Sequence, residues 1–225
     1  GAYRKYAGNP LLESAEYFLS YREGNKGCFT FCMCPGGEVC AATSMEGGVV
    51  TNGMSNHARD GKNGNAAIAV SVDSSEFPPG PLGGVEFSKR LEERAFLLGG
   101  SDYTAPAQLV GDFLEDRPSK KYGRVVPTYP LGVRFMSITP LLPRDSAELL
   151  KKSLQNFASR AEFFKDMEAV LTAPETRTSS PVRILRDENY NANKISGLIP
   201  CGEGAGYAGG IMSAAVDGIK AALKI

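Results

Sequence analysis

Three stretches of the chain hold residues whose types and spacing can do chemistry. Near the C-terminus, the apolar run Ile195-Ser-Gly-Leu-Ile-Pro-Cys201 empties into Gly202-Glu203-Gly204-Ala205-Gly206-Tyr207-Ala208-Gly209-Gly210-Ile211. Gly204, Gly206 and Gly209 match the pattern GxGxxG, where missing side chains let backbone N–H groups approach an acceptor at the positive end of a helix. The apolar run reads as a strand, and Ile211, Ala214, Ala215, Gly218, Ile219, Ala222 and Leu223 read as the buried stripe of the helix that follows. A regular dinucleotide fingerprint is not expected. It needs a further strand with an acidic residue about 20 positions on, whereas 16 residues follow Gly209. A tight strand-to-helix turn that binds nothing fits the same residues.

The second stretch crowds Cys28, Cys32, Cys34 and Cys40 into thirteen residues. On a regular strand the first three share a face, with nearest positions about 6.8 Å apart and the outer pair roughly 20 Å apart. A disulfide or a compact zinc cage then fits poorly. With Pro35-Gly36-Gly37-Glu38 as a four-residue hairpin loop, Cys34 faces Val39 and Cys40 turns to the opposite face. Structural thiols, a reactive thiol and a metal site all stay open as readings. The third stretch is the polar loop of residues 55–65, which contains His57, the single histidine. One histidine excludes an imidazole-rich zinc site, and a Ser/His/Asp triad would have to use it without any GxSxG frame to support it. Arg59 and Asp60 in this loop either meet a substrate or pair with each other.

These stretches must be positioned by ordinary globular structure. The 225 residues carry 25 Lys+Arg against 25 Asp+Glu and are 42% hydrophobic, while 26 glycines exceed the usual share of about 7%. The balanced charge argues against nucleic acid or an acidic membrane surface as partner. No run reaches the roughly 18 apolar residues of a membrane span and no basic-then-apolar leader opens the chain, so a soluble cytoplasmic protein is expected. Gly1 stands where an initiator Met would, which opens the reading that this is a piece of a longer protein. Asn9 as N-cap and Pro10 at the first helical position predict a helix through Leu11, Leu12, Ala15, Phe18 and Leu19, stopping in Gly24-Asn-Lys-Gly27. Short apolar or alternating runs at 28–34, 39–44, 49–51 and 66–72, separated by glycine-rich turns, predict a β-rich block. Residues 80–171 read as mainly helical. They include a short helix carrying Leu109, Val110, Phe113 and Leu114, and a long one over 146–171 with Leu150, Leu154, Phe157, Ala161, Phe164 and Leu171 in rhythm. Arg90, Glu92, Glu93 and Arg94 read as a solvated helix face.

Several of these motifs together resemble a known family. The segment 197–218, with its Gly-Leu-Ile-Pro-Cys-Gly-Glu-Gly-Ala-Gly-Tyr-Ala-Gly-Gly run, is similar to the closing motif of the bacterial FAD-dependent dehydrogenases, often named NAD(FAD)-utilizing dehydrogenases. Phe31-Cys-Met-Cys-Pro-Gly-Gly-Glu-Val39, Gly47-Gly-Val-Val-Thr-Asn-Gly-Met-Ser55, Ala58-Arg-Asp-Gly61, Thr128-Tyr-Pro-Leu-Gly132 and Glu175-Thr-Arg-Thr-Ser-Ser-Pro-Val-Arg183 resemble the same family, in order. The resemblance implies an α+β chain, the C-terminal fragment of an α/β flavoprotein. Residues 1–79 would form a β-rich substrate-side region with an N-terminal helix, 80–173 a mainly helical insertion, and 174–225 a strand, Gly-rich turn and helix completing a Rossmann-type FAD domain.

The resemblance further implies that an N-terminal FAD-binding half of the same protein is the partner. Residues 202–211 would contact FAD, with Glu203 meeting hydroxyls and the amides of 207–211 facing the flavin's N1–C2=O2 edge, where a helix N-terminus stabilises developing negative charge. Thr178, Ser179 and Ser180 would lie beside the ring, although a Pro-bounded strand accounts for that segment equally. Cys32, Cys34, Met54, Ser55, His57, Arg59 and Asp60 would be the substrate-side candidates. NAD(P)H would be the electron donor, a small molecule the substrate, and no metal is expected. A self-contained ligand- or anion-binding module without redox activity, and a thiol-redox or metal protein using Cys28 to Cys40, are the alternatives.

Overall fold

The computed structural model describes residues 18–224 together with Asn9 and Leu11. Asn9 Oδ1 accepts a hydrogen bond from the Leu11 N–H at 3.0 Å, as an N-cap does, while the expected first helix otherwise lies outside the described residues. Phe18 and Leu19, expected in that helix, are not helical; Ser20–Glu23 is a strand (β1), and Gly24-Asn25 is the two-residue turn of a hairpin into β2, Lys26–Cys34.

The chain divides into two compact units, residues 1–73 with 90–176 and residues 74–89 with 177–225. In the first unit the β-rich block forms as the alternation predicts. Burial alternates along β2 at Cys28, Thr30 and Cys34, because successive side chains point to opposite faces. The strand pairs antiparallel with both β1 and β5, Asn65–Val70. Its register slips between Phe31 and Cys34, and Cys32 at that bulge has φ +47° and is exposed. Cys32 therefore leaves the face it was expected to share with Cys28 and Cys34, both of which are buried. β3, Gly37–Ala41, pairs with β4, Thr51–Ser55, and not with β2. The expected β2–β3 hairpin does not form, since Pro35-Gly36 passes the chain into a separate two-stranded ribbon.

The region expected to be mainly helical also contains a sheet. Helix α1, Gly83–Gly99, runs from the second unit into the first. β6, Ala105–Leu109, lies between β7, Val133–Phe135, in parallel and β8, Val170–Thr172, antiparallel. Helix α2, Val110–Leu114, is a single turn. Helix α3 spans Arg144–Arg160 and packs on β1, β2 and β5 through a stripe that includes Leu150, Leu154 and Phe157. It is shorter than the apolar rhythm suggests. Ala161 is extended, yet the Phe164 ring still meets Phe157 edge-on at 5.5 Å, so the apolar spacing outlives the helix. Phe113, Phe157, Leu141 and Val49 are fully buried in this unit's core, each worth about 1.5–3 kcal/mol in removal from water.

Glu92 on α1 is also buried, not solvated. Its carboxylate accepts the Thr176 hydroxyl at 2.6 Å, and its carbonyl accepts the Val49 N–H. Arg90, Glu93 and Arg94 are exposed as expected. In the second unit, residues 195–201 form no strand, and the expected stripe of helix α4, Ile211–Ala222, faces outward. Ile211 is 89%, Ile219 61% and the following Leu223 80% exposed, with Ala221 the buried residue of the helix. Periodicity located the helix but not what covers it. The described residues therefore form a mixed α+β structure of small sheets and four helices. Among them, no helix is long and apolar enough to cross a membrane.

Candidate functional site

Two clusters gather the residues singled out by chemistry, one in each unit. In the first unit, the ends of β2 and β4 and the loop after β4 surround a cavity of about 510 Å³. Cys32, Cys34, Met54, Ser55, His57 and Arg59 all line it, as do Met33, Pro35, Gly53 and Asn56, which the sequence reading passed over. Asp60 does not line it, and His57 and Arg59 are exposed. The wall is held by close backbone approach. Gly36 (φ +55°) accepts the Gly61 N–H at 3.1 Å, and a Cβ on Gly36 would lie 1.9 Å from the Arg59 carbonyl oxygen. The Ser55 hydroxyl donates to Pro35 O at 3.0 Å, tying β4 to the same turn. Thr128 is anchored here too, its hydroxyl accepting the Val39 N–H at 2.8 Å.

The cavity's outer thiol, Cys32, is not activated. Desolvation, and then the neighbouring Cys34 and Glu175 groups, push the Cys32 thiol up to about 11, so it is protonated at neutral pH. Burial likewise raises the Glu175 carboxyl. Cys28 lies apart in the core, 1% exposed and raised by burial, as a structural thiol. All five cysteines are free, and among the described residues no three His, Cys, Asp or Glu side chains converge as a metal site.

In the second unit, the glycine-rich loop joins the 178–183 segment. Ser180 Oγ lies 2.9 Å from Val182 O and 3.1 Å from Gly204 O, Arg183 Nε donates to Gly206 O at 2.9 Å, and Ile184 N–H donates to Ala205 O at 3.1 Å. Ser179 Oγ lies 3.9 Å from where a Cβ on Gly209 would stand. The loop folds on itself through Gly206 N–H to Glu203 O and Tyr207 N–H to Gly202 O. Gly206 is required by this fold alone: φ is +83°, and an added Cβ would lie 2.3 Å from Val182 O. Gly204, Gly209 and Gly210 differ. A Cβ at Gly204 meets nothing within 4 Å, and at Gly209 and Gly210 nothing nearer than 3.8 Å. Their bareness is not used by the chain itself. No side chain caps α4, whose first N–H groups have no partners within the helix.

Sequence reasoning missed the clamp that holds this loop. Arg186 donates in bidentate fashion to Asp217 at 2.7 and 2.8 Å, and also to Pro200 O at 2.7 Å. Asp217 Oδ2 in turn accepts the Gly202 N–H at 2.9 Å. The pair is nearly buried, with side chains 11% and 14% exposed, and the guanidinium lies 3.5 Å from the Tyr207 ring centroid and 4.0 Å from that of Tyr190. The Arg186 hydrogen bonds hold Asp217 down to about 2. The one legible signal was a lone acidic residue within the apolar α4.

Comparison with known proteins adds two findings. The family model described as FAD-dependent protein, C-terminal domain-like, matches residues 1–178. An uncharacterized protein of Clostridium beijerinckii is 48% identical over 220 residues, covering 96% of this chain and 41% of that protein. The chain thus spans about two fifths of its relative's length, and the likeness extends past residue 178 into the second unit.

Proposed function

Since this chain belongs to the FAD-dependent protein, C-terminal domain-like family, we propose that it is the C-terminal part of an FAD-dependent oxidoreductase of the dehydrogenase type. FAD, when bound, supplies the two-electron hydride chemistry. The residues of the second unit fit that group. The observation that carries the reading is the open space above Gly209 and Gly210 at the uncapped N-terminus of α4, a cradle that a side chain would fill. The amides of residues 208–211 would hold the flavin's electron-rich edge, favoured by the helix dipole, whereas the expected Tyr207 N–H is committed to Gly202 O. Thr178 and Ser179 would lie beside the ring and Glu203 would meet hydroxyls. Ser180, committed to Gly204 O, positions the loop, and the Arg186–Asp217 clamp fixes the start of the turn. The cavity at Cys32, Met54, Ser55, His57 and Arg59 would receive a small-molecule substrate, with NAD(P)H as electron donor.

The partner in this reading is the N-terminal half of the same protein, carrying a Rossmann-type FAD domain that α4 helps to complete. Two observations favour it: the relative is more than twice this chain's length, and α4 presents Ile211, Met212, Ile219 and its neighbour Leu223 to solvent. The test is to purify the chain joined to the remainder encoded in its source genome, and to record its absorption before and after anaerobic NADH and NADPH. A flavin spectrum bleached by either nucleotide is expected. Gly209→Val should lose the flavin while folding normally, because its side chain enters open space. A colourless folded protein that refuses FAD would replace this reading with a ligand-binding module lacking redox activity.

A further inference from the structure

Apart from the flavin reading, the geometry points to Cys32 and Cys34 as a reversible dithiol–disulfide pair that exchanges with disulfides of small thiols. On an extended strand, positions i and i+2 stand about 6.8 Å apart, at the outer limit for a disulfide. The bulge in β2 removes that obstacle. Cys32 leaves extended geometry at φ +47°, the register slips between Phe31 and Cys34, and Cys34 Sγ reaches back to within 3.5 Å of Cys32 O. Both thiols line the same cavity, Cys32 exposed and Cys34 buried behind it. Gly53 leaves room beside the inner sulfur, since a Cβ there would lie 3.3 Å from Cys34 Sγ. Asn65, opposite Cys34 in the β2–β5 register, has a buried amide nitrogen with no hydrogen-bond partner, a donor available to a sulfur anion. Bulges of this kind re-aim side chains next to active sites.

The exchange balances with the small disulfide as oxidant. The Cys32 thiolate attacks one of its sulfurs, breaking that S–S bond and releasing one small thiol. The Cys34 thiolate then attacks the Cys32 sulfur, closing the intrachain bond and releasing the second. Two protons leave Cys32 and Cys34, the pair loses two electrons, and the small disulfide becomes two thiols.

The experiment incubates the full chain, without flavin, with oxidised glutathione at about pH 9, for hours because the outer thiol is so weakly acidic. Alkylation and peptide mass spectrometry then locate every cysteine. The expected result is a fall of two from five alkylatable thiols, with the loss of two hydrogens between Cys32 and Cys34, reversed by dithiothreitol. Cys34→Ser should instead retain glutathione on Cys32, and Cys32→Ser should leave Cys34 unreacted, each checked for folding by circular dichroism. The mapping on the unaltered chain decides the matter even if a variant fails to fold. A lasting glutathione adduct on Cys32 with Cys34 still free, a bridge between any other pair, or no reaction overturns the proposal. Because no flavin is used, none of these outcomes bears on the flavin reading.

Discussion

The Arg186–Asp217 pair makes the strongest single demand on solution conditions. Hydrogen bonding to Arg186 holds the Asp217 carboxyl near 2, well below its ordinary value. A carboxyl depressed on folding stabilises the native state at every pH above its unfolded value, and that stabilisation is lost as pH falls through the folded one. The window is therefore from about pH 4 down to about pH 2, and the loss is roughly 2 kcal/mol. Urea denaturation followed by circular dichroism across that range should show it. Asp217→Asn should be less stable at pH 7 by about 3 kcal/mol, because Arg186 is left buried with no counter-charge, and its stability should vary less with acid. Equal slopes for the two proteins would mean that solvent already screens the pair.

At the scale of elements, the turn between β2 and β3 decides whether the cavity exists. Gly36 has no room for a side chain, since the Arg59 carbonyl oxygen would lie 1.9 Å from its Cβ. Gly36→Ala is expected to push the 56–61 loop away, lose the Gly61-to-Gly36 hydrogen bond and cost about 1–3 kcal/mol. Faster hydrogen exchange at Gly61 than in the parent protein would register the change; an unchanged rate would show the loop to be held elsewhere. This junction also shows what was legible in the sequence. The strands of the β-rich block followed from alternation and turn residues, and six of the seven substrate-side candidates do line one cavity. The sequence did not show that β2 and β3 enter different sheets, because strand partnership is a long-range choice that a short turn leaves open. For the same reason β8 was read as the tail of α3: its partner β6 is some 60 residues earlier, and a short apolar run does not reveal its partner. The Arg186–Asp217 clamp joins positions 31 apart with no local pattern to mark them.

For the molecule as a whole, α4 is the element least explained by the described residues. A helix that carries Ile, Met, Val and Ala normally buries its apolar face, yet here Ile211, Met212, Ile219 and, just past its end, Leu223 lie mostly in water. Exposed apolar surface of this kind marks a contact that is made elsewhere. On the proposal that an N-terminal half of the same protein covers it, the 225-residue chain alone should bind an anilinonaphthalene dye strongly, and the joined protein only weakly. Replacing Ile211 and Ile219 with Ser should abolish dye binding by the isolated chain at little cost in stability, since neither side chain is buried there. In the joined protein the same double substitution should cost several kcal/mol, each isoleucine contributing about 1.5–3 kcal/mol when removed from water. Equal stability losses in the two settings would mean that the proposed N-terminal half docks elsewhere, and the proposed role of α4 in completing an FAD domain would have to be given up.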